Sequence, residues 1–208
     1  MNSTVLEGIK NIIFDLGNVI IELDIEASNQ AFEALLGRQK DKFFDHLQSI
    51  GVFQDYEKGK ISSAVFVDYL KELTDKNITS RQIESAWNAM LLDIPKSRYT
   101  LLTTLKQQYR TFCLSNTNQL HADFIHDQLE EKIGMKRLDP FFEKVYLSHE
   151  IGMRKPDQEI FEFVLSQNNL EPEETLFIDD TIGHLKGAAS LGIKTLHLKA
   201  PDVIENYF

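Results

Sequence analysis

The feature that most constrains the fold of this chain is a regular alternation of short apolar runs and helical patterns. Five runs have the length and composition of β-strands, and the first four are almost entirely apolar. Continuous apolar runs are typical of strands that are covered on both faces, and the helical patterns between them would supply that cover. The alternation predicts an α/β fold, a doubly wound parallel sheet. The predicted strands are Asn11–Phe14, Thr111–Leu114, Val145–Leu147, Leu176–Ile178 and Lys194–Leu198.

One long segment between the first and second strands interrupts this alternation. Its apolar residues recur at steps of three and four, which is the spacing of amphipathic helices that bury one face. The helical stripes centre on Phe32, Phe66 and Trp87; the first ends at Gly37 and the second begins at Ser62–Ser63. We therefore predict two domains: residues 1–20 and 97–208 form the sheet core, and residues 21–96 form an inserted, all-helical cap.

Charge and composition exclude several classes of partner. The formal net charge is −10, and nucleic acids or anionic lipids are bound through clusters of Lys and Arg that this sequence lacks. No window approaches the roughly 20 apolar residues of a membrane span, and the N-terminus does not resemble a signal peptide. The single cysteine, Cys113, lies in a strand pattern and is expected in the core. We expect a cytoplasmic protein, monomeric or homodimeric, without nucleic-acid or membrane partners.

Polar residues follow the first four predicted strands, at the point where each strand ends. Ligands of open parallel sheets bind beyond these carboxyl ends. Taken singly, each residue suits an ordinary turn, a helix cap or a surface lysine. Together, at successive strand ends, they predict one site. The residues are Asp15 after the first strand, Ser115 and Asn116 after the second, Lys155 after the third, and Asp179 and Asp180 after the fourth.

The chemistry of this set indicates phosphoryl transfer. Asp15, Asp179 and Asp180 would place three negative charges together, and oxygen ligands without His or Cys favour Mg²⁺. A carboxylate that is partly free of the metal can attack phosphorus and form an aspartyl phosphate. Ser115 and nearby backbone N–H groups could hold the transferring oxygens, while Lys155 would neutralise charge.

Four short motifs carry a resemblance to a known family. The segments FDLGNV (14–19), LSNT (114–117), GMRKPD (152–157) and FIDD (177–180) resemble the four motifs of the haloacid dehalogenase superfamily, and the insert is similar to its helical cap. The resemblance covers essentially the whole chain and implies a Rossmann-like core. Within the superfamily, DLGNV, LSNTN and GMRKP are most similar to bacterial α-D-glucose-1-phosphate phosphatases. The resemblance implies a Mg²⁺-dependent phosphatase that acts on a small phosphorylated metabolite, a glucose-1-phosphate-like sugar phosphate.

The resemblance also implies a role for each matching residue. Phosphate transfer would pass through an aspartyl phosphate, with backbone and side-chain oxygens binding the metal. The implied roles are Asp15 as nucleophile and metal ligand, the Gly17 carbonyl and Asp180 as direct metal ligands, Asp179 as a ligand directly or through water, Ser115 and Asn116 as binders of the phosphoryl group, and Lys155 as the residue that orients it.

Two positions depart from the family pattern. Phosphatases of this superfamily usually carry an acid two residues after the nucleophile, where this sequence has Gly17, and an Asn or Asp where it has His184, which we expect to cap or pack a helix. General acid catalysis is typically worth about 10²–10⁴-fold. Three explanations stay open: a substrate with a good leaving group, such as a sugar 1-phosphate; a substitute acid, Asp24 or Glu57; or a catalytically weak or silent phosphate- or partner-binding protein.

Two other protein classes share part of this pattern. A signalling receiver domain would carry its acidic pair at the first strand and its phosphorylated Asp later, which is the reverse of the order here. A haloacid dehalogenase needs no leaving-group acid, but the cluster of three carboxylates argues for a metal that halide displacement does not use. Residues 53–61 of the insert are open to two interpretations: a solvated loop between helices, or a segment that the cap lowers over the site.

Overall fold

A five-stranded parallel sheet forms the centre of the molecule. The computed structural model describes residues 6–36, 49–72 and 77–208. The strand order is β3-β2-β1-β4-β5, and all four neighbouring pairs are parallel. The predicted fold class is confirmed, and each predicted strand is present with its ends within one residue. The strands are β1 Asn11–Phe14, β2 Arg110–Ser115, β3 Lys144–Leu147, β4 Thr175–Asp179 and β5 Lys194–His197.

Four helices lie between β1 and β2 in the described residues that precede position 96. They share a hydrophobic cluster in which the ring centroids of Tyr56 and Phe66 are 4.2 Å apart and those of Phe66 and Trp87 are 4.8 Å apart. The predicted helical stripes are therefore confirmed; the predicted end at Gly37 lies outside the described residues. The helices are α1 Ile25–Leu36, α2 Val52–Glu57, α3 Ser63–Glu72 and α4 Ser80–Asn88.

The two chain segments that enter and leave this helical insert are paired with each other. The N–H of Asp24 donates to the Met90 carbonyl at 2.8 Å, and the N–H of Leu92 donates to the Glu22 carbonyl at 3.0 Å. An isolated antiparallel bridge between Leu23 and Leu91 completes the pairing. The insert is thus anchored through a short two-stranded neck. The division of the chain at residues 20 and 97 stays a prediction.

Helices cover the sheet on both faces, as the apolar strands predicted. Ile12 and Phe14 of β1 point into one cluster and Ile13 into the other, which is the alternation of a strand. Cys113 is fully buried, as expected, and burial raises the pKa of its thiol. No helix in the described ranges combines the length and apolarity that membrane crossing requires. The remaining helices are α5 Lys96–Leu105, α6 Gln119–Ile133, α7 Ser148–Ile151, α8 Gln158–Asn168 and α9 Ile182–Ala189.

Candidate active site

A buried lysine lies between two carboxylates at the carboxyl ends of β1 and β4. The Nζ atom of Lys155 is 2.7 Å from Asp15 Oδ1 and 2.7 Å from Asp179 Oδ2. Strand register explains the meeting, because Phe14 pairs with Ile178 and the next residues of the two strands are the two aspartates. Burial lowers the pKa of Lys155, but the two carboxylates outweigh it and raise the pKa above its ordinary value. The lysine is therefore charged.

Asp15 has one engaged and one free carboxylate oxygen. Its Oδ1 atom accepts from the Leu16 N–H at 2.7 Å and contacts Lys155, whereas Oδ2 has no partner among the residues that the structure describes. Burial raises the pKa of Asp15 to about 6; Lys155 opposes this shift and Asp179 adds to it. The carboxylate is ionised at neutral pH, and an added cation would stabilise it. Its free oxygen is available for attack or for metal binding.

Asp179 is held by three neighbours. It accepts hydrogen bonds from Lys155, from the Thr181 N–H at 2.7 Å and from His184 Nδ1 at 3.0 Å. Burial raises the pKa of Asp179, but the hydrogen bonds and charges of His184 and Lys155 hold it well below its usual value. Because a carboxylate can only accept, Nδ1 of His184 carries the proton and cannot ligate a metal through that atom. His184 packs in the first turn of α9 and orients Asp179.

The structure brings together some of the predicted metal ligands. Ligand atoms of Asp15, Asp179 and His184 lie within 4.8 Å of one another, which makes them a possible metal-binding group. Asp180 is outside this group: its carboxylate accepts from Asn18 Nδ2 at 2.8 Å and from the Thr181 hydroxyl at 3.1 Å. The implied role of Asp180 as a direct ligand stays a prediction. Asn18, to which the sequence analysis gave no role, has a left-handed backbone with φ 55°.

Ser115 and Asn116, at the end of β2, differ in how far their side chains are engaged. The Ser115 hydroxyl is at the buried end of the strand and has no hydrogen bond to another described residue. The side chain of Asn116, in contrast, is fully engaged: its Nδ2 donates to the Lys155 carbonyl and its Oδ1 accepts from the Lys155 N–H, both at 2.8 Å. The amide therefore holds the backbone of the lysine. Only the backbone of Asn116 remains for the phosphoryl group that the sequence assigned to it.

A cavity of about 320 Å³ extends from these strand ends to the helical insert. Gly17, Ser115 and Asn116 line it on the side of the sheet. Glu57 of α2 and Trp87 of α4 line it on the side of the insert. Volumes of about 300–1,000 Å³ are typical of small-molecule sites. The volume of this cavity therefore suits a small-molecule ligand.

The two candidate substitute acids have different surroundings. Glu57 lines the cavity, is only 7% exposed, and accepts a hydrogen bond from Arg154 Nε at 2.9 Å. Burial raises the pKa of Glu57, and the charges of Arg154, His184 and Lys155 oppose the rise. Asp24 is exposed and accepts from the Ala27 N–H at 3.1 Å, which caps α1. Of the two, Glu57 is placed to meet a ligand.

The segment that carries Glu57 is docked on the core. Residues 52–57 are helical and Glu57 is buried, so the interpretation as a solvated loop is wrong for residues 53–57, whereas residues 58–61 form a turn in which Gly59 and Lys60 are exposed. The next residue, Lys58, pairs with Asp157 at 3.0 Å. Gly59 has φ 63°, and a Cβ atom there would lie 2.0 Å from the His149 carbonyl oxygen. The only local sign of this close approach in the sequence is the glycine itself. Its contact with His149, 90 residues away, was not predicted.

A second contact joins α4 to α6 at the wall of the cavity. The Trp87 and His121 rings stack with centroids 5.3 Å apart. The Nε2 atom of His121 lies 3.2 Å from the Trp87 carbonyl, and its Nδ1 lies 3.3 Å from Asn118 Nδ2. The carbonyl can only accept, so the imidazole is protonated on Nε2 and Nδ1 accepts. Burial lowers the pKa of His121 to about 4, which keeps the ring neutral.

Comparisons with known proteins agree with this geometry. A family model for haloacid dehalogenase-like hydrolases matches residues 9–192. D-ribitol-5-phosphate phosphatase from Bacteroides thetaiotaomicron is 32% identical over 187 residues, which cover 90% of each chain. Glyceraldehyde 3-phosphate phosphatase from Pyrococcus furiosus is 27% identical over 204 residues, which cover 92% of this chain and 81% of that protein. A crystal structure of a HAD family enzyme from Bacteroides thetaiotaomicron, complexed with magnesium and inorganic phosphate, has a TM-score of 0.87 and 38% identity, and the match covers 96% of this chain and 99% of that one.

Proposed function

This chain belongs to the haloacid dehalogenase-like hydrolases, and we propose that it is a Mg²⁺-dependent phosphatase that hydrolyses a small phosphate monoester through an aspartyl phosphate on Asp15. The observation that carries the proposal is the free Oδ2 atom of Asp15, whose other oxygen contacts a charged lysine and whose neighbours Leu16 and Gly17 line a cavity of suitable size. The named relatives act on phosphate esters of small polyols and sugars. These observations support a phosphoric monoester hydrolase.

The described residues fit a magnesium ion. Its ligands would be Asp15, the Gly17 carbonyl, Asp180 and, directly or through water, Asp179. These are the oxygen donors that Mg²⁺ prefers, and ligand atoms of Asp15 and Asp179 lie within 4.8 Å of one another. When bound, Mg²⁺ supplies positive charge that stabilises the phosphoryl oxygens. The related crystal structure that contains magnesium and phosphate supports this cofactor.

The side chains of this chain perform the remaining steps. Asp15 Oδ2 attacks phosphorus, the bond from phosphorus to the leaving oxygen breaks, and water later hydrolyses the aspartyl phosphate. Lys155 holds the other oxygen of Asp15 and compensates charge on the phosphoryl group. The Ser115 hydroxyl and the Asn116 N–H would bind phosphoryl oxygens, while the Asn116 side chain keeps Lys155 in place. Positioning and electrostatic stabilisation are what phosphoryl transfer mainly requires.

Within this reaction class we propose a sugar or polyol phosphate as the substrate, with a glucose-1-phosphate-like ester as the narrower form. The size of the cavity and the names of the relatives support the broader form. The narrower form rests on the similarity of the motifs to glucose-1-phosphate phosphatases. We also propose a cytoplasmic protein that is monomeric or homodimeric and has no nucleic-acid partners. The net charge of −10 supports the last of these three points.

A phosphate-release screen tests the proposal. Purified protein with Mg²⁺ is given sugar 1-phosphates, sugar and polyol 5- and 6-phosphates, and nucleotides. We expect release that EDTA removes and that Asp15→Asn abolishes. Absence of turnover on every ester, with phosphate still bound, would identify a silent binding protein instead. A clear preference for 5- or 6-phosphates would reject the narrower sugar 1-phosphate form and leave the phosphatase in place.

A further inference from the structure

We propose that Glu57 of the helical insert is the general acid that protonates the leaving oxygen, in place of the acid that Gly17 does not provide. The inference rests on the proposed phosphatase function and deepens it. It assigns a catalytic group to the insert rather than to the sheet core. Three observations support it: the space beside Gly17, the position of Glu57 in the cavity, and the contacts that fix α2 on the core.

At the position two residues after the nucleophile, a side chain could enter only if Leu23 moved. A Cβ atom on Gly17 would lie 2.8 Å from Leu23 Cδ1, so an apolar group from the entrance of the insert occupies the space where a side chain of residue 17 would begin. Gly17 nevertheless lines the cavity through its backbone. When Asp15 attacks a substrate, the leaving oxygen therefore faces the cavity, and the loop that carries Asp15 and Gly17 offers it no acid. The proton must come from a residue on another side of the cavity.

Glu57 is the one carboxylate that lines this cavity within the described part of the chain. Arg154 Nε binds its Oε2 atom at 2.9 Å, and Oε1 has no hydrogen-bond partner among the described residues. Gly17 and Ser115, which mark the phosphoryl end, line the same cavity. The arrangement leaves one oxygen of a fixed carboxyl group available to a ligand.

The surroundings of Glu57 favour a carboxyl group that retains a proton. Burial raises its pKa, and the facing charges that oppose the rise are those of Arg154, His184 and Lys155. A general acid is most effective when its pKa is close to the working pH. Arg154 contributes mainly by position, because its bond to Oε2 fixes the carboxyl plane.

The acid is also held in place through its neighbours in sequence. Lys58 pairs with Asp157 at 3.0 Å, and Gly59 packs directly on the His149 carbonyl. Both contacts join the insert to the segment that carries Lys155. The proton donor and the charged lysine are thus positioned by the same part of the core, which is the arrangement that orientation of a catalytic group requires.

The proposed step is balanced in atoms and charge. As Asp15 Oδ2 forms a bond to phosphorus, the phosphorus–oxygen bond of the ester breaks and its electron pair takes the proton of Glu57, which releases an alcohol. The Glu57 carboxylate then takes a proton from the water that attacks phosphorus. The bond between phosphorus and Asp15 breaks, inorganic phosphate leaves, and both carboxyl groups return to their initial states.

Substrates with different leaving groups test this role. We compare an alkyl phosphate, whose alkoxide needs a proton, with p-nitrophenyl phosphate, whose phenolate leaves unprotonated. Glu57→Gln is expected to lower kcat/KM on the alkyl ester by about 10²-fold or more and on the aryl ester by only a few-fold. It should also remove the fall in activity on the alkyl ester that wild type shows as rising pH deprotonates Glu57. A merely structural role would lower activity on both esters by the same factor.

Arg154→Gln is the matched control, because it breaks the same ion pair and keeps the carboxyl group. A smaller selective loss on the alkyl ester is expected for this variant than for Glu57→Gln, because the carboxyl group remains but its plane is no longer fixed. A selective loss as large as that in Glu57→Gln would overturn the proposal. Equal losses in Glu57→Gln would overturn it as well. Restoration of alkyl activity in Glu57→Gln by the added pair Gly17→Asp and Leu23→Ala would support it. If wild type releases phosphate from no ester of the screen, the phosphatase function itself fails, whereas wild-type turnover without selectivity in Glu57→Gln rejects only the acid.

Discussion

At the scale of single residues, Lys155 is the group on which the site depends most. It is completely buried, and it separates Asp15 from Asp179. Two carboxylates left together in a buried site repel each other, and removal of one partner of a buried ion pair typically costs about 3–5 kcal/mol. Lys155 therefore stabilises the folded protein, in addition to its role in the proposed reaction.

We predict that Lys155→Met abolishes phosphatase activity and destabilises the metal-free protein by roughly 3–5 kcal/mol at pH 8. The pKa of Asp15 is already raised to about 6, and loss of the lysine raises it further. When the pKa of a carboxyl group is raised in the folded state, the folded protein loses stability as pH rises through that pKa. The loss of stability in Lys155→Met should therefore be smaller at pH 5, where Asp15 is protonated. Urea unfolding in EDTA at the two pH values measures this difference.

Lys10→Met is the control for that experiment. Lys10 pairs with Glu174 at 2.6 Å, but its side chain is 68% exposed. Exposed ion pairs contribute little to stability. A similar loss in both variants, or a Lys155→Met defect that does not change with pH, would contradict the electrostatic explanation.

Residues at strand ends were predictable, whereas residues that depend on packing between distant segments were not. Asp15, Ser115 and Asp179 each follow a readable apolar strand, so their meeting follows from sheet geometry. The clamp between Asn116 and Lys155 and the ion pair between Glu57 and Arg154 join residues 39 and 97 positions apart. No local pattern encodes such contacts. The sequence identified Glu57 as a possible acid but could not separate it from Asp24, because only packing buries one and exposes the other.

At the scale of secondary-structure elements, the contact between α2 and the core depends on Gly59. We predict that Gly59→Ala lowers kcat/KM strongly, because a methyl group 2.0 Å from the His149 carbonyl oxygen forces the segment that carries Glu57 away from the site. The backbone at φ 63° adds strain for any residue with a Cβ atom. Steady-state kinetics and thermal unfolding together measure the effect.

Gly134→Ala is the matched control for backbone strain. Gly134 ends α6 with φ 69°, and a Cβ atom there would meet nothing within 4 Å. This variant should lose some stability, on the order of 1 kcal/mol, and keep its activity. If Gly59→Ala behaves like Gly134→Ala, close packing of this segment is not needed for catalysis.

The contact between α4 and α6 offers a direct optical measurement, because Trp87 is the only tryptophan in the sequence. His121 is stacked on it and has a pKa lowered by burial to about 4. A histidine whose pKa is lowered in the folded state stabilises the protein at pH values above its pKa in the unfolded state. This contribution is lost as pH falls through its pKa in the folded state. We predict steady fluorescence from pH 8 to pH 6 and a change centred near pH 4, where an added proton on Nδ1 faces the Asn118 amide.

His121→Gln separates this local event from acid unfolding. The variant lacks the titrating ring, so its fluorescence should not show the change near pH 4 while its far-ultraviolet circular dichroism follows that of wild type. A fluorescence change that persists in His121→Gln, or one that coincides with loss of secondary structure, would show that the imidazole is not the cause.

At the scale of the whole molecule, the strand order places the site between two bodies of the structure. Strand β1 lies at the centre of the sheet, so its end is bordered by β2 on one side and β4 on the other, and the insert follows β1 directly. The sheet supplies Asp15, Ser115 and Asp179, and the insert closes the cavity from the other side. Hydrophobic alternation predicted the sheet and the presence of helices in the insert. The way in which the insert sits on the sheet depends on single contacts, such as those of Gly59 and Trp87, that periodicity does not encode.

Binding of Mg²⁺ should therefore stabilise the molecule as a whole, because its proposed ligands lie in the loop after β1 and at the end of β4. A ligand that binds only the folded state at 100 times its Kd adds about 2.7 kcal/mol of stability. We predict that Mg²⁺ raises the Tm of wild type, that EDTA reverses the rise, and that inorganic phosphate adds to it.

Since the pKa of Asp15 in the metal-free protein is about 6, a proton competes with the metal below that pH. The Mg²⁺-dependent rise should be full at pH 8 and largely lost at pH 5. Calorimetric scans of wild type and Asp15→Asn with and without Mg²⁺ measure it: a rise of equal size in Asp15→Asn, or one that does not change between pH 8 and pH 5, would mean that the metal binds elsewhere.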